Sequence, residues 1–145
     1  MVTVKNILGV KGAHVWSVGP GATVLEAALL MNEHRIGSLV VLEAGRLVGV
    51  FTERDVLRRV VAEARNPADT RVADVMTTEV VCCWPETTLE EAAGVMKNRR
   101  IRHLPVLDRD GRLLGLVSIG DLNAHQAHDQ EQHIHLLNEY LYGRV

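Results

Sequence analysis

Cysteine is almost missing from this chain: Cys82 and Cys83 are the only two in 145 residues. Neighbouring residues of an extended segment point to opposite faces, so the pair offers neither a disulfide framework nor a CxxC redox motif. Two ordinary reduced side chains are expected. Aromatic residues make up 3% of the sequence, too little material for a base-stacking platform. An excess of one charge is missing too. Lys and Arg number 16 against 18 Asp and Glu, a formal charge of −2, and with no basic run DNA and RNA are not expected as partners. No window approaches the roughly 18 unbroken apolar residues of a membrane span. Met1-Val2-Thr3-Val4-Lys5 lacks the charged-then-apolar layout of a signal peptide. A soluble, cytoplasmic protein is the expectation.

What is present is a 47% hydrophobic, 23% charged chain, long enough for one globular domain or for two compact lobes sharing a core. The chain also repeats itself. Residues 20–43, PGATVLEAALLMNEHRIGSLVVLE, align with 85–108, PETTLEEAAGVMKNRRIRHLPVLD. After one inserted residue, GRLVGVFTERD (45–55) aligns with GRLLGLVSIGD (111–121). Such self-similarity marks a duplicated structural unit.

Both copies carry the same local signals. Thr23-Val-Leu-Glu26 and Thr88-Leu-Glu-Glu91 are T-x-x-E capping boxes, so a helix starts at each. Val24, Ala27, Ala28 and Met31 recur at helical spacing, as do Leu89, Ala92, Ala93 and Met96, and these stripes read as core. Apolar runs Ser38–Leu42 and Leu104–Leu107 each precede a polar turn, with Gly45 or Gly111, and then Leu47–Phe51 or Leu113–Val117. That is strand, hairpin turn, strand. Asp55 and Asp121 open further helical stretches, DVLRRVVAEA and DLNAHQAHDQEQHIHLLNEYLYG, and extended lead-ins are expected at 13–18 and 79–84. The fold class is therefore α+β: two pseudo-twofold-related β-α-β-β-α repeats packed through their sheets, plus a C-terminal helix. A single unit has too few strands to bury both faces, and a second unit supplies the cover. The expected division is 1–65, 66–125 and a helical extension at 126–145, with Asn66-Pro67-Ala68-Asp69 as the link.

The second strand of each unit ends in glycine, two apolar residues, Thr or Ser, two variable residues and Asp. It reads Gly49-Val-Phe-Thr52-Glu-Arg54-Asp55 and Gly115-Leu-Val-Ser118-Ile-Gly-Asp121, behind Arg-Ile-Gly-Ser-Leu-Val-Val and Arg-Ile-Arg-His-Leu-Pro-Val. On these motifs, over about residues 2–125, the chain resembles a tandem pair of cystathionine β-synthase (CBS) domains, the Bateman module, of the stand-alone bacterial type. The resemblance implies a regulatory module that binds an adenosine-containing ligand in clefts between the repeats. It also implies a homodimer and an effector protein that the sequence does not name. AMP, ADP or ATP would be the ligand, with NAD also possible, in an energy-sensing role. NAD would place its adenosine half in one cleft and reach toward the other; no GxGxxG follows a strand here, so this reading does not rest on a Rossmann loop.

A carboxylate offers two acceptors to the two donors of a ribose diol, so Asp55 and Asp121 fit ribose clamps; each could equally cap its helix. Thr52 and Ser118 could donate to a phosphate or ribose oxygen, or bond their own backbone. By resemblance, the first cleft joins Thr52 and Asp55 to Ile101, Arg102 and His103, with the lead-in Val80–Cys82 centred on Val81. The second joins Ser118 and Asp121 to Ile36, Gly37 and Ser38, with the lead-in Ala13–Val15 and so His14. Gly37 lets backbone and ligand approach closely. Arg102 beside His103 suits a phosphate, so the first cleft is expected to prefer a phosphorylated ligand. Arg54 would add a phosphate contact across a dimer interface. Arg99 and Arg100 read as exposed helix residues.

The C-terminal stretch is rich in histidine. His125, His128, Asp129 and Gln132 share a helix face, and His128, Glu131 and His135 form another set, yet neither has the spacing of a zinc motif. No metal is expected; Ile134, Leu137 and Leu141 form an apolar stripe to pack on the module or a second copy. There is no GxSxG, HExxH or P-loop, and Cys82 or Cys83 with His103 is the one conceivable nucleophile and base. An enzyme, and a catalytic cofactor, are therefore not expected. The alternative to a nucleotide sensor is a protein-interaction scaffold with non-binding clefts.

Overall fold

The computed structural model describes residues 1–12 and 14–126. In chain order the elements are α1 (Val4–Lys11), β1 (Ser17–Val18), α2 (Val24–His34), β2 (Ser38–Glu43), β3 (Arg46–Thr52) and α3 (Glu53–Asp55). A π-helical segment (Val56–Val61), α4 (Val72–Val75), α5 (Leu89–Arg99), β4 (His103–Leu107) and β5 (Leu113–Ser118) follow. Residues 119–126 are again helical. The architecture is α+β, as the repeat predicts.

Local chemistry accounts for most of these boundaries. Thr23 accepts from Glu26 N–H at 3.1 Å while Glu26 reaches back to Thr23 N–H, and Thr88 and Glu91 do the same at 3.1 and 3.2 Å. Both helices end in an arginine in the left-handed region, Arg35 at φ 53° and Arg100 at φ 55°. The first hairpin turns on Ala44 (φ 52°) and Gly45 (φ 79°), the positive angles that a two-residue turn needs. In the second, with its extra residue, the Asp108 carboxylate accepts Asp110 N–H and Arg112 N–H at 2.9 and 3.0 Å, folding the turn from within.

β1 runs parallel to β2, and β2 pairs antiparallel with β3, in a three-stranded sheet. β4 and β5 form a two-stranded antiparallel sheet. The hairpin tips meet, with Leu47 N–H donating to Gly111 O at 3.4 Å and Leu113 N–H to Gly45 O at 3.3 Å. Two expectations change. The lead-in expected at 79–84 makes a single parallel bridge, Cys83 to Val106, rather than a strand. The helix expected from Asp55 widens after one turn: Ala62 N–H bonds Leu57 O and Arg65 N–H bonds Val60 O, both at 2.9 Å. In this wider path Arg59 donates to Val75 O and Met76 O at 3.3 and 3.0 Å, tying the segment to α4.

Two short helices that the repeat alignment did not include, α1 and α4, decide how the halves join. Val4 and Ile7 of α1 lie in one core with Leu89, Met96, Leu104, Val106 and Val117 of the second half. Val72 and Val75 of α4 lie in the other, with Val24, Met31, Leu39 and Phe51 of the first half. Each half thus lends a helix to its partner. The hydrogen bonds repeat the exchange: Val4 N–H to Thr87 O and Val72 N–H to Ala22 O are both 2.8 Å. This also explains the motif glycines. A Cβ on Gly115 would stand 2.7 Å from Leu8, and one on Gly49 would stand 2.6 Å from the Met76 sulfur. The strands carry glycine where the borrowed helices press closest.

Candidate functional site

The Thr/Ser-x-x-Asp motifs first act on the backbone. Thr52 N–H donates to Asp55 Oδ2 at 3.0 Å and Asp55 N–H to Thr52 Oγ1 at 3.2 Å. Ser118 and Asp121 close the same reciprocal cap at 2.8 and 3.0 Å. Each aspartate is therefore the third residue of its helix and closes the cap with the Thr or Ser before it, and what its carboxylate meets beyond that distinguishes the halves.

Asp55 is buried. The Thr77 hydroxyl donates to its Oδ1 at 3.1 Å, and Arg59 Nε lies 3.7 Å away. Its contacts run to the segment after α4 and not to residues 101–103. Arg54, in the middle of α3, is exposed. Ile101 and Val81, expected in the first cleft, pack against the second core. Arg102 is exposed and its carbonyl accepts Ile119 N–H at 2.7 Å.

Asp121 meets a cation instead. Lys11, the last residue of α1, places Nζ 2.7 Å from Asp121 Oδ2 and donates to Leu116 O at 2.9 Å. Burial pushes the Asp121 carboxyl up, but the Lys11 ammonium and the Ser118 hydrogen bonds outweigh it and hold the group below its usual range. Beside the pair opens a cleft of about 330 Å³ lined by both halves. Its walls include His14, Val15, Ile36, Gly37 and Ser38, five residues expected to meet here; Ala13 lies outside the described residues. His103, expected in the first cleft, lines this one. Its position in the alignment matches Ser38, so the two face one space across the pseudo-twofold. Burial, then Lys11 and Arg102, lower the His103 pKa against the opposing pull of Asp121.

Four further residues of this cleft escaped the sequence reading, Leu116 of β5 among them. Lys11 sits on a helix outside the alignment. Trp16, in the lead-in, stacks on His34 with ring centroids 3.5 Å apart and meets His14 edge-on at 4.6 Å. Arg35 also lines the cleft, and its identity with Arg100 in the alignment was the available signal. The space beside Gly37 is shared with Glu53, whose carboxyl carbon lies 3.1 Å from where a Cβ would be. The cysteines do not extend this chemistry: burial, with Cys82 adding to it, pushes the Cys83 thiol up to about 12, and burial raises Cys82 too. Such thiols stay protonated at neutral pH and are poor nucleophiles. Among the described residues no group of three or more His, Cys, Asp or Glu could hold a metal ion. The histidine-rich face lies outside them apart from His125. No helix among the described residues is long and apolar enough to cross a membrane.

The CBS domain profile matches the chain twice, at residues 1–62 and 72–127. The chain belongs to the CBS-domain family. The CBS-domain protein YhcV of Bacillus subtilis is 39% identical over 126 residues, 87% of this chain and 86% of that one. The mitochondrial CBS-domain protein CBSX3 of Arabidopsis thaliana is 38% identical, and this chain spans 61% of it. A solved structure of a protein with CBS domains from Burkholderia ambifaria superposes with a TM-score of 0.83 at 40% identity, covering 89% of this chain and 96% of that one. At the level of fold, the CBS pair of MJ0100, solved with 5-methylthioadenosine and S-adenosyl-L-methionine, has a TM-score of 0.77 at 23% identity, covering 89% of this chain and 98% of that one. Both CBS repeats are accordingly present in tandem.

Proposed function

We propose that this CBS pair is a regulatory module that binds an adenine mononucleotide, AMP before NAD, in the cleft beside Ser118 and Asp121. One observation carries the reading: a single cleft of about 330 Å³, lined by both halves, gathers Lys11, Arg35 and His103 beside the Trp16 ring. That volume lies at the lower end of the roughly 300–1,000 Å³ of small-molecule sites, which suits one nucleotide better than two. The Lys11 and Arg35 cations, with the neutral His103 ring as a further hydrogen-bonding group, suit a phosphoryl group, the indole an adenine face, and Asp121 a ribose diol. The phosphate preference expected of the first cleft is thereby reassigned to the second, where the charges gather. The pair of MJ0100 is a precedent for the fold alone. The test is calorimetry and thermal denaturation with AMP, ATP, NAD and S-adenosylmethionine, on the wild type and on Asp121→Ala. At 100 times its dissociation constant a ligand adds about 2.7 kcal/mol of stability. Stabilisation by AMP that Asp121→Ala removes supports the reading; flat responses to all four ligands overturn it and favour the interaction scaffold.

A second copy of the chain is the partner proposed for the outer face of the first half. Leu25 and Leu29 of α2 are 42% and 59% exposed, and Leu57 and Val61 of the π-helical segment 61% and 63%. Aligned positions of the second half hold Glu90, Gly94 and Asn123, so among the described residues these positions form an apolar face in the first half and not in the second. Glu26 and Glu33 belong to α2, Arg54 to α3 and Arg58 to the π-helical segment, all exposed. A twofold contact sets the acids of one copy against the bases of the next.

A further inference from the structure

We propose that Lys11 is the residue by which this cleft distinguishes a phosphorylated adenosine ligand from an unphosphorylated one, exchanging Asp121 for the ligand's phosphoryl group. The inference rests on the reading above, that an adenine nucleotide occupies the cleft of Ser118 and Asp121.

Lys11 belongs to both settings. Its ammonium lines the cleft and at the same time holds Asp121 Oδ2 at 2.7 Å. Ser118 N–H also donates to Oδ2, at 2.8 Å, so among the described residues the partners of this carboxylate converge on one oxygen. A ribose diol gripped by two oxygens must displace the ammonium from Oδ2. The pair is 34% and 23% exposed, neither sealed in the core nor open to bulk water, so the displacement removes a charge-assisted bond. A nucleoside gives only neutral hydroxyls in return and leaves Lys11 without an anion. A nucleotide gives the freed ammonium a phosphoryl oxygen in the same cleft, where Arg35 and His103 already stand. The bond to Leu116 O, at 2.9 Å, steadies the side chain in either position.

The other half lacks this device. The partner reaching Asp55 from the corresponding borrowed segment is the neutral Thr77 hydroxyl, at 3.1 Å from Oδ1. The cation beside Asp55, Arg59 at 3.7 Å from Oδ1, comes from the same half and donates to Val75 O and Met76 O, so releasing Thr77 frees no ammonium for a phosphoryl group, and the exchange is a property of one cleft.

Titration calorimetry with AMP and with adenosine, on wild type, Lys11→Met, Lys11→Gln and Lys11→Arg, tests the exchange. The expected wild-type preference for AMP is about tenfold or more, the equivalent of about 1.4 kcal/mol. In Lys11→Met the preference collapses toward one from both sides, AMP weaker and adenosine tighter, while Lys11→Arg keeps it. Lys11→Gln drops the charge yet can still donate to Leu116 O, and it serves if the methionine variant does not fold. Tighter adenosine binding is the reading that a merely structural lysine would not produce. Loss of AMP affinity with adenosine unchanged reduces Lys11 to a simple phosphate contact and overturns the exchange; so does an equal loss for both ligands. Wild type that binds neither compound overturns the nucleotide reading itself, and the exchange with it.

Discussion

At Asp121 one carboxylate caps a helix and pairs with Lys11, which lines the cleft. Because its folded pKa lies below the unfolded value of about 3.9, the stability it contributes is fully present above that pH. It is lost as the pH falls through the folded value. Asp121→Asn should therefore flatten the acid limb of a stability profile below about pH 4, measured by denaturant unfolding. His103 is also lowered, and here the neutral form is favoured in the fold. Stability should decline as the pH falls below about 6.5, the unfolded histidine value, and His103→Gln should remove that slope. Gly115 gives a test of packing. Gly115→Ala should cost about 1–3 kcal/mol, the range for overpacking, because its new methyl meets Leu8 at 2.7 Å. Pairing it with Leu8→Ala should recover part of the loss in a double-mutant cycle.

Among the elements, legibility followed locality. The capping boxes, both hairpins and the helical stripes of α2 and α5 lie within a few residues of the atoms that satisfy them, and each was readable. α1 and α4 were not. Val4, Ile7, Val72 and Val75 are too few and too short a pattern to announce a helix, and their apolar side chains are explained only by sheets in the opposite half. The cleft followed the same rule. The family resemblance pointed to Ile36, Gly37 and Ser38, whereas Lys11 and Trp16 carry no repeat signature; Lys11 is brought in by the exchange of α1, and Trp16 stands before β1 against His34 of its own half. His103, expected in the first cleft, lines this one, because alignment fixes a position in its own half, not which side of the pseudo-twofold its side chain serves. The π-helical widening at Val56–Val61 left no mark in the sequence. A borrowed helix makes a clear prediction: Ile7→Ala should cost about 2–5 kcal/mol, the usual range for such a core truncation. Its loss of amide-exchange protection should appear first in β4 and β5, although the substitution lies nearly a hundred residues earlier in the chain.

For the whole molecule, the halves are alike in backbone and unlike in chemistry. The first presents the apolar outer face, while the second positions Asp121 for Lys11. Sedimentation of the wild type should show a dimer, and Leu29→Glu with Leu57→Glu should yield a folded monomer. A wild-type monomer would remove the second copy as the partner of that face. Since the cleft lies between halves that hold each other's helices, a ligand that favours one arrangement of the halves shifts the position of both cores together.

The exchange of α1 and α4 also bears on ancestry. A gene encoding one such unit would yield a chain that leaves its own sheet partly bare and carries the cover for somebody else's. Two copies of that chain would complete each other only by meeting, at the mercy of their concentration. Joining them in tandem makes the encounter intramolecular and so removes dilution as a threat. It also frees each former twin to drift: one toward holding a charged group, the other toward a sticky exterior, neither any longer required to serve both purposes.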